Sequence, residues 1–174
     1  MMQVRSFREE DRQLVGRIDA SSRCSHRASL TIASDAITWC PQPITPVIKT
    51  YDVCALLREQ PEAWDCAFVA CRQQDAISGF AAVGFEPWNQ RARLWHLFVD
   101  QQARRHGAAR ALIGAAVEWA VAQHARQLWL ETQDTNCAAI AAYERLGFSI
   151  VGLDRSLYAN PPAEEMAVFM SRSL

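Results

Sequence analysis

The stretch with the clearest chemical potential is 98–110, FVDQQARRHGAAR, where a strand is predicted to end at Val99 and a helix to begin around Gly107. Glycine lets the backbone approach a ligand closely, and the small side chains of Ala108 and Ala109 leave that approach open. The unpaired amides at a helix N-terminus attract anions. Three side chains add positive charge: Arg104, Arg105 and Arg110. The stretch therefore predicts a cradle for a pyrophosphate group, with a plain strand–loop–helix joint and solvated arginines as the structural alternative.

A candidate proton donor lies on a helix predicted over Asn136–Leu146. Asn136 is a residue type favoured at a helix N-cap, and Gly147 follows as a stop signal. The phenol of Tyr143 has an unperturbed pKa near ~10, so it stays protonated at neutral pH and can donate to a leaving group. A core tyrosine with a locally satisfied hydroxyl is the alternative, and we favour the acid.

Two side chains compete for the role of base. On the strand predicted over 127–133, period-2 alternation puts Glu131 on one face with Trp129 and Gln133. Glu131 suits holding a substrate ammonium or taking its proton, directly or through water; a solvated charge or a salt bridge is the alternative. His96, with an unperturbed pKa of ~6.5, suits proton removal at neutral pH, although a lone histidine on a strand is more often a packed one.

A mixed sheet with helices is needed to position these residues. The predicted strands are 4–7, 66–72, 77–85, 91–99, 127–133, 148–158 and 166–170, and the longer helices are 104–124 and 136–146. Residues 21–35 are predicted to be irregular, and the proline-containing stretch 37–51 to be extended, as at a sheet edge. A turn is predicted at 73–75. The order indicates an α/β (α+β) fold with a mixed, mostly antiparallel central sheet flanked by helices, in one domain over 1–174.

Two blocks of this sequence resemble one known family. The pattern Arg-x-x-Gly-x-Ala at 104–109 resembles the acetyl-CoA signature of the GCN5-related N-acetyltransferase (GNAT) superfamily. The stretch 136–148, Asn-x-x-Ala-x-x-x-Tyr-x-x-x-Gly-Phe, resembles the helix and glycine–phenylalanine stop of the same family. The two blocks occur in the expected order, separated by a helix and a strand. The resemblance is strong over about 66–174 and covers the first 65 residues only in outline.

The resemblance implies a GNAT-like fold whose two central strands split apart, with acetyl-CoA as cosubstrate in the split. It implies direct attack of an amine on the thioester, with Tyr143 as general acid and with Glu131 or His96 as the base. Backbone groups of three strand residues are implied to hold the pantetheine arm, and 104–110 to hold the pyrophosphate. The implied cofactor-binding residues are Leu97, Phe98, Val99, Arg104, Arg105, Gly107, Ala108, Ala109, Arg110, Asn136 and Tyr143.

Further segments resemble the streptothricin (nourseothricin) acetyltransferases, which acetylate an amine on a cationic antibiotic. They are Trp-Asn-x-Arg at 88–91, LWLE at 128–131, and the Gly-Leu-Asp and Leu-Tyr segments within 152–158. This resemblance implies a small-molecule amine acceptor and a role in antibiotic resistance, with Glu131 as an acceptor contact. Trp88, in a predicted turn, is a second candidate acceptor contact, with packing in the core as its structural alternative. The strand at 94–99 lacks the carboxylates typical of those enzymes, so we expect weaker discrimination by substrate charge. Two alternatives stay open: acetylation of a peptide or ribosomal-protein N-terminus, and acetyl-CoA binding without turnover.

Composition narrows the class of protein further. The chain has 174 residues, half of them hydrophobic, and a formal net charge of −1, which gives no electrostatic reason to bind nucleic acid. Its six cysteines show no zinc-type spacing, so no metal is predicted. No apolar run approaches the ~20 residues of a membrane span, and the N-terminus has no secretion signal. We therefore expect a cytoplasmic enzyme without membrane partners, a monomer or a homodimer.

Overall fold

The computed structural model describes residues 2–59, 64–72, 76–158 and 165–174. The strands are β1 (Gln3–Ser6), β2 (Ser22–Ile32), β3 (Ile37–Lys49), β4 (Cys66–Cys71), β5 (Ile77–Glu86), β6 (Arg91–Val99), β7 (Gln127–Gln133), β8 (Ser149–Asp154) and β9 (Ala167–Ser173). The helices are α1 (Arg12–Val15), α2 (Val53–Glu59), α3 (Ala108–Ala122) and α4 (Cys137–Arg145). The turn predicted at 73–75 lies outside the described residues.

The chain forms two compact units, and β7 passes from the first to the second between Leu128 and Trp129. The first unit contains the residues up to Ser22, Thr50–Leu128 and Leu174, and the second contains Arg23–Lys49 and Trp129–Ser173. The prediction of one domain over 1–174 stays a prediction.

The first unit is an antiparallel sheet in the order β1-β4-β5-β6 with helices on both faces. On one face Phe80 lies at the centre of an aromatic core, with Phe7 at 5.4 Å and Phe98 at 6.5 Å between ring centroids. On the other face α3 lies so close that a Cβ on Gly79 would come within 2.9 Å of Leu112. Glycine at this position is therefore what allows α3 to approach the sheet.

A β-bulge changes the direction of side chains along β6. His96 pairs with Ala82 and Leu94 with Val83, which leaves Trp95 as an extra residue. Because cross-strand partners share a face, Leu94 and Phe98 lie on opposite faces of the sheet although both positions are even-numbered. Both side chains are buried.

The second unit contains neighbouring strands β7, β9 and β8, the helix α4, and a two-stranded sheet of β2 and β3. The prediction of an irregular segment at 21–35 is wrong, because residues 22–32 form β2. This strand buries only Cys24 and Ala28, so it lacks the apolar alternation that would have identified it. The edge character predicted for 37–51 is confirmed by β3, since each strand of a two-stranded sheet has an unpaired edge that tolerates proline.

Candidate active site

The N-terminus of α3 has the geometry of an anion cradle. The helix begins at Ala108, next to the start predicted around Gly107 and four residues after the start of the predicted range 104–124, because 104–107 form a turn that ends at Gly107 with a φ of +88°. Within the described part of the chain no side chain caps the helix, and the first amide to reach a backbone acceptor here is that of Ala111, 3.0 Å from the Gly107 oxygen. A Cβ on Gly107 would meet nothing within 4 Å, so open space lies beside these amides. The residues present therefore fit a diphosphate.

The Arg104 guanidinium is bound to backbone carbonyl oxygens of the same unit. Its Nη2 donates to the carbonyl oxygens of Ala20 and Ser21, at 3.0 and 2.7 Å, and its Nε donates to that of Val99 at 3.3 Å. The guanidinium thus joins the end of β6 to the loop before β2. Arg105 and Arg110 are the exposed arginines at this helix end.

Further hydrogen bonds hold the same loop in one arrangement. The Asp100 carboxylate accepts from the amides of Gln102 and Asp19, at 3.0 and 3.1 Å. Gln101 Nε2 donates to Ser21 Oγ at 2.8 Å. The backbone that leads from β6 to the helix is therefore fixed from both sides.

Leu97, Phe98 and Val99 are the last residues of β6 before this loop, paired with Ala81, Phe80 and Gly79 of β5. They follow directly after the bulge at Trp95 and His96. Bulges are frequent beside active sites, where they redirect a strand. The residues predicted to bind pantetheine thus lie on a strand segment that is continuous with the anion cradle.

His96 is a neutral side chain at physiological pH. Burial, and next the nearby Arg93 guanidinium, lower the pKa of His96 to about 4. Its ring stacks on Phe98 at a centroid distance of 5.5 Å. Among the described residues its buried Nε2 has no hydrogen-bond partner. An imidazole in this state supplies no positive or negative charge to a substrate.

Trp88 lies on a short 3₁₀ turn between β5 and β6 and is 84% exposed. Glu86 accepts hydrogen bonds from Arg91, at 2.7 and 2.9 Å, and from Asn89 at 3.2 Å. These contacts fix the turn while leaving the indole at the surface of the first unit.

In the second unit, Asn136 and Tyr143 lie on one helix as predicted. The Asn136 side chain caps α4 by accepting from the Ala139 amide at 3.4 Å, which confirms the predicted cap. Tyr143 is half-buried and packs edge-on against Phe148, with ring centroids 5.7 Å apart. The chain reverses between them at Gly147, whose φ is +88°. The helix and its stop therefore set the position of the Tyr143 ring.

Glu131 belongs to a hydrogen-bonded group that the sequence did not reveal. As the alternation of β7 predicts, Glu131 and Gln133 share a face, and both are half-buried. The Tyr158 hydroxyl donates to Glu131 Oε1 and accepts from Gln133 Nε2, the latter at 3.0 Å. Burial, and next the hydrogen bond to Glu131, raise the pKa of Tyr158 well above its usual value. The phenol therefore remains a proton donor to the carboxylate.

A second charged group lies at the end of β7. Glu165 pairs with Lys49 and accepts a hydrogen bond from Thr135. Asp134 is 3% exposed and pairs with Arg27 at 3.3 Å. Burial raises the pKa of Asp134, although the Met166 amide and Arg27 act in the opposite direction. Asp134 and Thr135 are far in sequence from Arg27, Lys49 and Glu165, so only the contacts identify the group.

Other chemistries find little support in the part of the chain that the structure describes. No group of three or more His, Cys, Asp or Glu side chains is arranged to hold a metal ion among the described residues. Cys137, beside Asn136, is a free thiol, and burial raises its pKa, so its thiolate is disfavoured. No helix within the described ranges is long and apolar enough to cross a membrane.

Comparisons with known proteins define the class. The model of the acetyltransferase (GNAT) family matches residues 34–148. A streptothricin acetyltransferase from Streptomyces lavendulae is 32% identical over 97% of this chain and 93% of its own length. Streptothricin acetyltransferase A of Bacillus subtilis is 40% identical over 47% of this chain and 48% of its own. The chain belongs to the GNAT acetyltransferase family.

Solved structures agree with this assignment. The crystal structure of a nourseothricin acetyltransferase has a TM-score of 0.84 and 30% identity, and the match covers 99% of this chain and 98% of that one. A Bacillus anthracis protein in complex with acetyl coenzyme A has a TM-score of 0.88 and 25% identity over the full length of both chains. The predicted GNAT fold is confirmed. The protein is an acetyl-CoA-dependent N-acetyltransferase.

Proposed function

We propose that this enzyme acetylates an amine of a streptothricin-type antibiotic and so confers resistance to it. The observation that carries the proposal is the similarity to the Streptomyces lavendulae enzyme, which extends over 97% of the chain and thus includes the β2–β3 region as well as the acetyl-CoA motifs. The match to the nourseothricin acetyltransferase structure, over 99% of the chain, supports the same acceptor class.

The proposed chemistry is direct transfer. A neutral amine attacks the thioester carbonyl, and the coenzyme A thiolate leaves with a proton from Tyr143. The position of Tyr143, fixed by the capped helix α4 and by the ring of Phe148, supports this role, because a general acid must be held within reach of the leaving atom.

We assign the acceptor ammonium to Glu131 rather than to His96. A carboxylate attracts an ammonium and can receive its proton, directly or through water. His96, with a pKa of about 4, is uncharged at neutral pH, and its Nε2 is shielded from solvent. Burial and charge therefore favour Glu131, and Trp88 is proposed as a further acceptor contact from its exposed turn.

The cradle at the start of α3 is proposed to bind the pyrophosphate of acetyl-CoA. The amides of Ala108, Ala109 and Arg110 would bind it, with charge from Arg110 and Arg105. Arg104 would act by holding the loop, because its guanidinium is bonded to three carbonyl oxygens. Backbone groups of Leu97–Val99 would hold the pantetheine arm, and the Asn136 amide would contact it beside its capping bond.

The N-terminal acetyltransferase alternative has narrower support. The ribosomal protein bS18-alanine N-acetyltransferase of Escherichia coli is 35% identical, but over 46% of this chain and 54% of its own length. A shared acetyl-CoA region would produce such a match whatever the acceptor. The full-length match therefore favours the antibiotic.

The test is turnover, measured as release of the coenzyme A thiol, with streptothricin, simple primary amines and N-terminal peptides offered in parallel. We expect streptothricin to give the highest kcat/KM. Turnover of peptides alone would overturn the acceptor assignment.

The same assay on Glu131→Gln should show a lower kcat/KM for the amine with unchanged acetyl-CoA affinity. Glu118→Gln, an equal loss of charge on the exposed face of α3, is the matched control and should behave as the wild type. Wild-type kinetics in Glu131→Gln would remove Glu131 from the mechanism.

A further inference from the structure

The phenol of Tyr158 bridges two residues of β7. Glu131 and Gln133 are two positions apart on one face, so their backbones are separated by about 6.6 Å along the strand. One hydroxyl group between them reaches both: it accepts from Gln133 Nε2 at 3.0 Å and donates to Glu131 Oε1. The contact joins Tyr158, which follows β8, to β7, the strand that carries the Glu131 carboxylate proposed to bind the substrate amine.

The direction of these hydrogen bonds follows from the groups themselves. The Gln133 NH₂ can only donate, so the Tyr158 oxygen accepts there. An ionised carboxylate can only accept, so the phenolic proton points to Glu131. When Glu131 is ionised, one oxygen of its carboxylate is therefore held by a charge-assisted hydrogen bond.

The local sequence explains how Tyr158 arrives at β7. The strand β8 ends at Asp154. The Asp154 carboxylate accepts hydrogen bonds from the Ser156 amide at 2.7 Å and from the Ser156 hydroxyl at 2.6 Å. Such an Asx turn reverses the chain within two residues. The reversal brings Tyr158 back to a half-buried position against Glu131.

We propose that Tyr158 is a positioning residue of the acceptor site: its hydroxyl orients the Glu131 carboxylate toward the acceptor amine, and Gln133 orients the hydroxyl. The inference rests on the proposed role of Glu131. Among the described residues, the charged groups facing Tyr158 are Glu131 on β7 and Glu165 before β9, and Glu165 is itself paired with Lys49 of β3. The raised pKa of Tyr158 keeps its proton in place throughout the usual assay range.

The test is Tyr158→Phe, which keeps the ring and removes both hydrogen bonds. We expect kcat/KM for the amine to fall on the order of 10-fold, with unchanged acetyl-CoA affinity. Loss of a donor disfavours an ionised carboxylate, so the acidic limb of the kcat/KM profile should move to higher pH. A purely structural role for Tyr158 would not move that limb. Gln133→Leu removes only the outer hydrogen bond and should shift the profile in the same direction by less.

A double-mutant cycle with Glu131→Gln isolates the coupling. If Tyr158 acts through Glu131, Tyr158→Phe should have little further effect in the Glu131→Gln background. An undiminished loss in that background, or wild-type kinetics and pH profile in Tyr158→Phe alone, would overturn the inference.

Failure of the proposed function has a different signature. The double-mutant cycle is measured with the amine that the wild type turns over fastest, whichever that is. A wrong antibiotic assignment would be seen when the wild type is tested on the different substrates, and the cycle could still be interpreted. If Glu131→Gln has wild-type kinetics, both the proposed role of Glu131 and the inference about Tyr158 are refuted. If Glu131→Gln lowers kcat/KM while Tyr158→Phe behaves as the wild type, only the inference about Tyr158 is refuted.

Discussion

Gly107 offers the sharpest test of the anion cradle, because its two properties predict separate effects on folding and on binding. Its φ of +88° lies in the left-handed region, where a non-glycine residue costs about 1–2 kcal/mol. For a chain of this length each kcal/mol lowers Tm by about 2–4 °C, so Gly107→Ala should lower Tm by roughly 2–8 °C. No steric term is added, since a Cβ there meets nothing within 4 Å in the free protein.

The binding effect should appear only with acetyl-CoA present. At a ligand concentration of 100 Kd the wild type gains about 2.7 kcal/mol, which corresponds to a rise in Tm of roughly 5–10 °C. Gly107→Glu places bulk and negative charge beside the amides proposed for the pyrophosphate and should abolish this rise. Gly107→Ala, which adds only a methyl group there, should reduce it.

Gly114 provides the matched control in the same helix. A Cβ at this position would also meet nothing within 4 Å, but the φ of Gly114 is not positive. Gly114→Ala should therefore gain about 1 kcal/mol of helix propensity and raise Tm by about 2–4 °C, with the same response to acetyl-CoA as the wild type. Thermal melts with and without acetyl-CoA, supported by calorimetric titration, measure all three variants. A folded Gly107→Glu protein that keeps the full acetyl-CoA shift would refute the site assignment.

Three further outcomes are expected. Tyr143→Phe should lower kcat on the order of 10²-fold, about 2.7 kcal/mol, with acetyl-CoA affinity nearly unchanged; wild-type turnover would mean that water protonates the thiolate. His96→Asn should leave the shape of the kcat/KM profile above about pH 5 unchanged, because an imidazole of pKa about 4 does not titrate there; loss of a limb near ~6–7 would contradict this. The hydrogen-bonded Arg5 guanidinium lowers the pKa of the buried Asp11 carboxyl. The ionised Asp11 therefore stabilises the fold at pH values above its ordinary pKa of 3.8, and this stabilisation is lost as the pH falls through the lowered pKa. Asp11→Asn should therefore cost about 2 kcal/mol at pH 7 and progressively less in acid, as chemical denaturation at several pH values would show.

The elements around the acetyl-CoA motifs were predictable because their sequence signals are local. The strands predicted at 91–99 and 127–133 match the bounds of β6 and β7, and the cap and stop residues identified α4 within one residue at each end. The strand β2 was missed because it lies in a small exposed sheet, where few positions need to be apolar. The pairing of β2 with β3 is a feature of the tertiary structure that the amino-acid composition of the segment does not predict.

The predictability of the site residues depends in the same way on how local their signals are. Tyr143 and Asn136 lie in one motif and were found together, whereas Tyr158 is 27 residues from the Glu131 it contacts. A turn made by Asp154 and Ser156 brings Tyr158 to Glu131, and no periodic pattern in the sequence predicts this contact. The hydrogen bonds of Arg104 to carbonyl oxygens were not predictable from the sequence either, because its charge alone suggested an anion as partner.

The bulge at Trp95 has a consequence for recombining this enzyme with its relatives. The extra residue is what places Leu94 on the α3 face and Phe98 in the aromatic core, although the spacing between them is even. A chimera whose crossover within β6 adds or removes one residue would turn every later side chain of the strand to the opposite face. Phe98 would then leave the core, and the strand end would reach the anion cradle in the wrong orientation. Exchanges with relatives should therefore transfer the whole segment Arg91–Val99 as a single block.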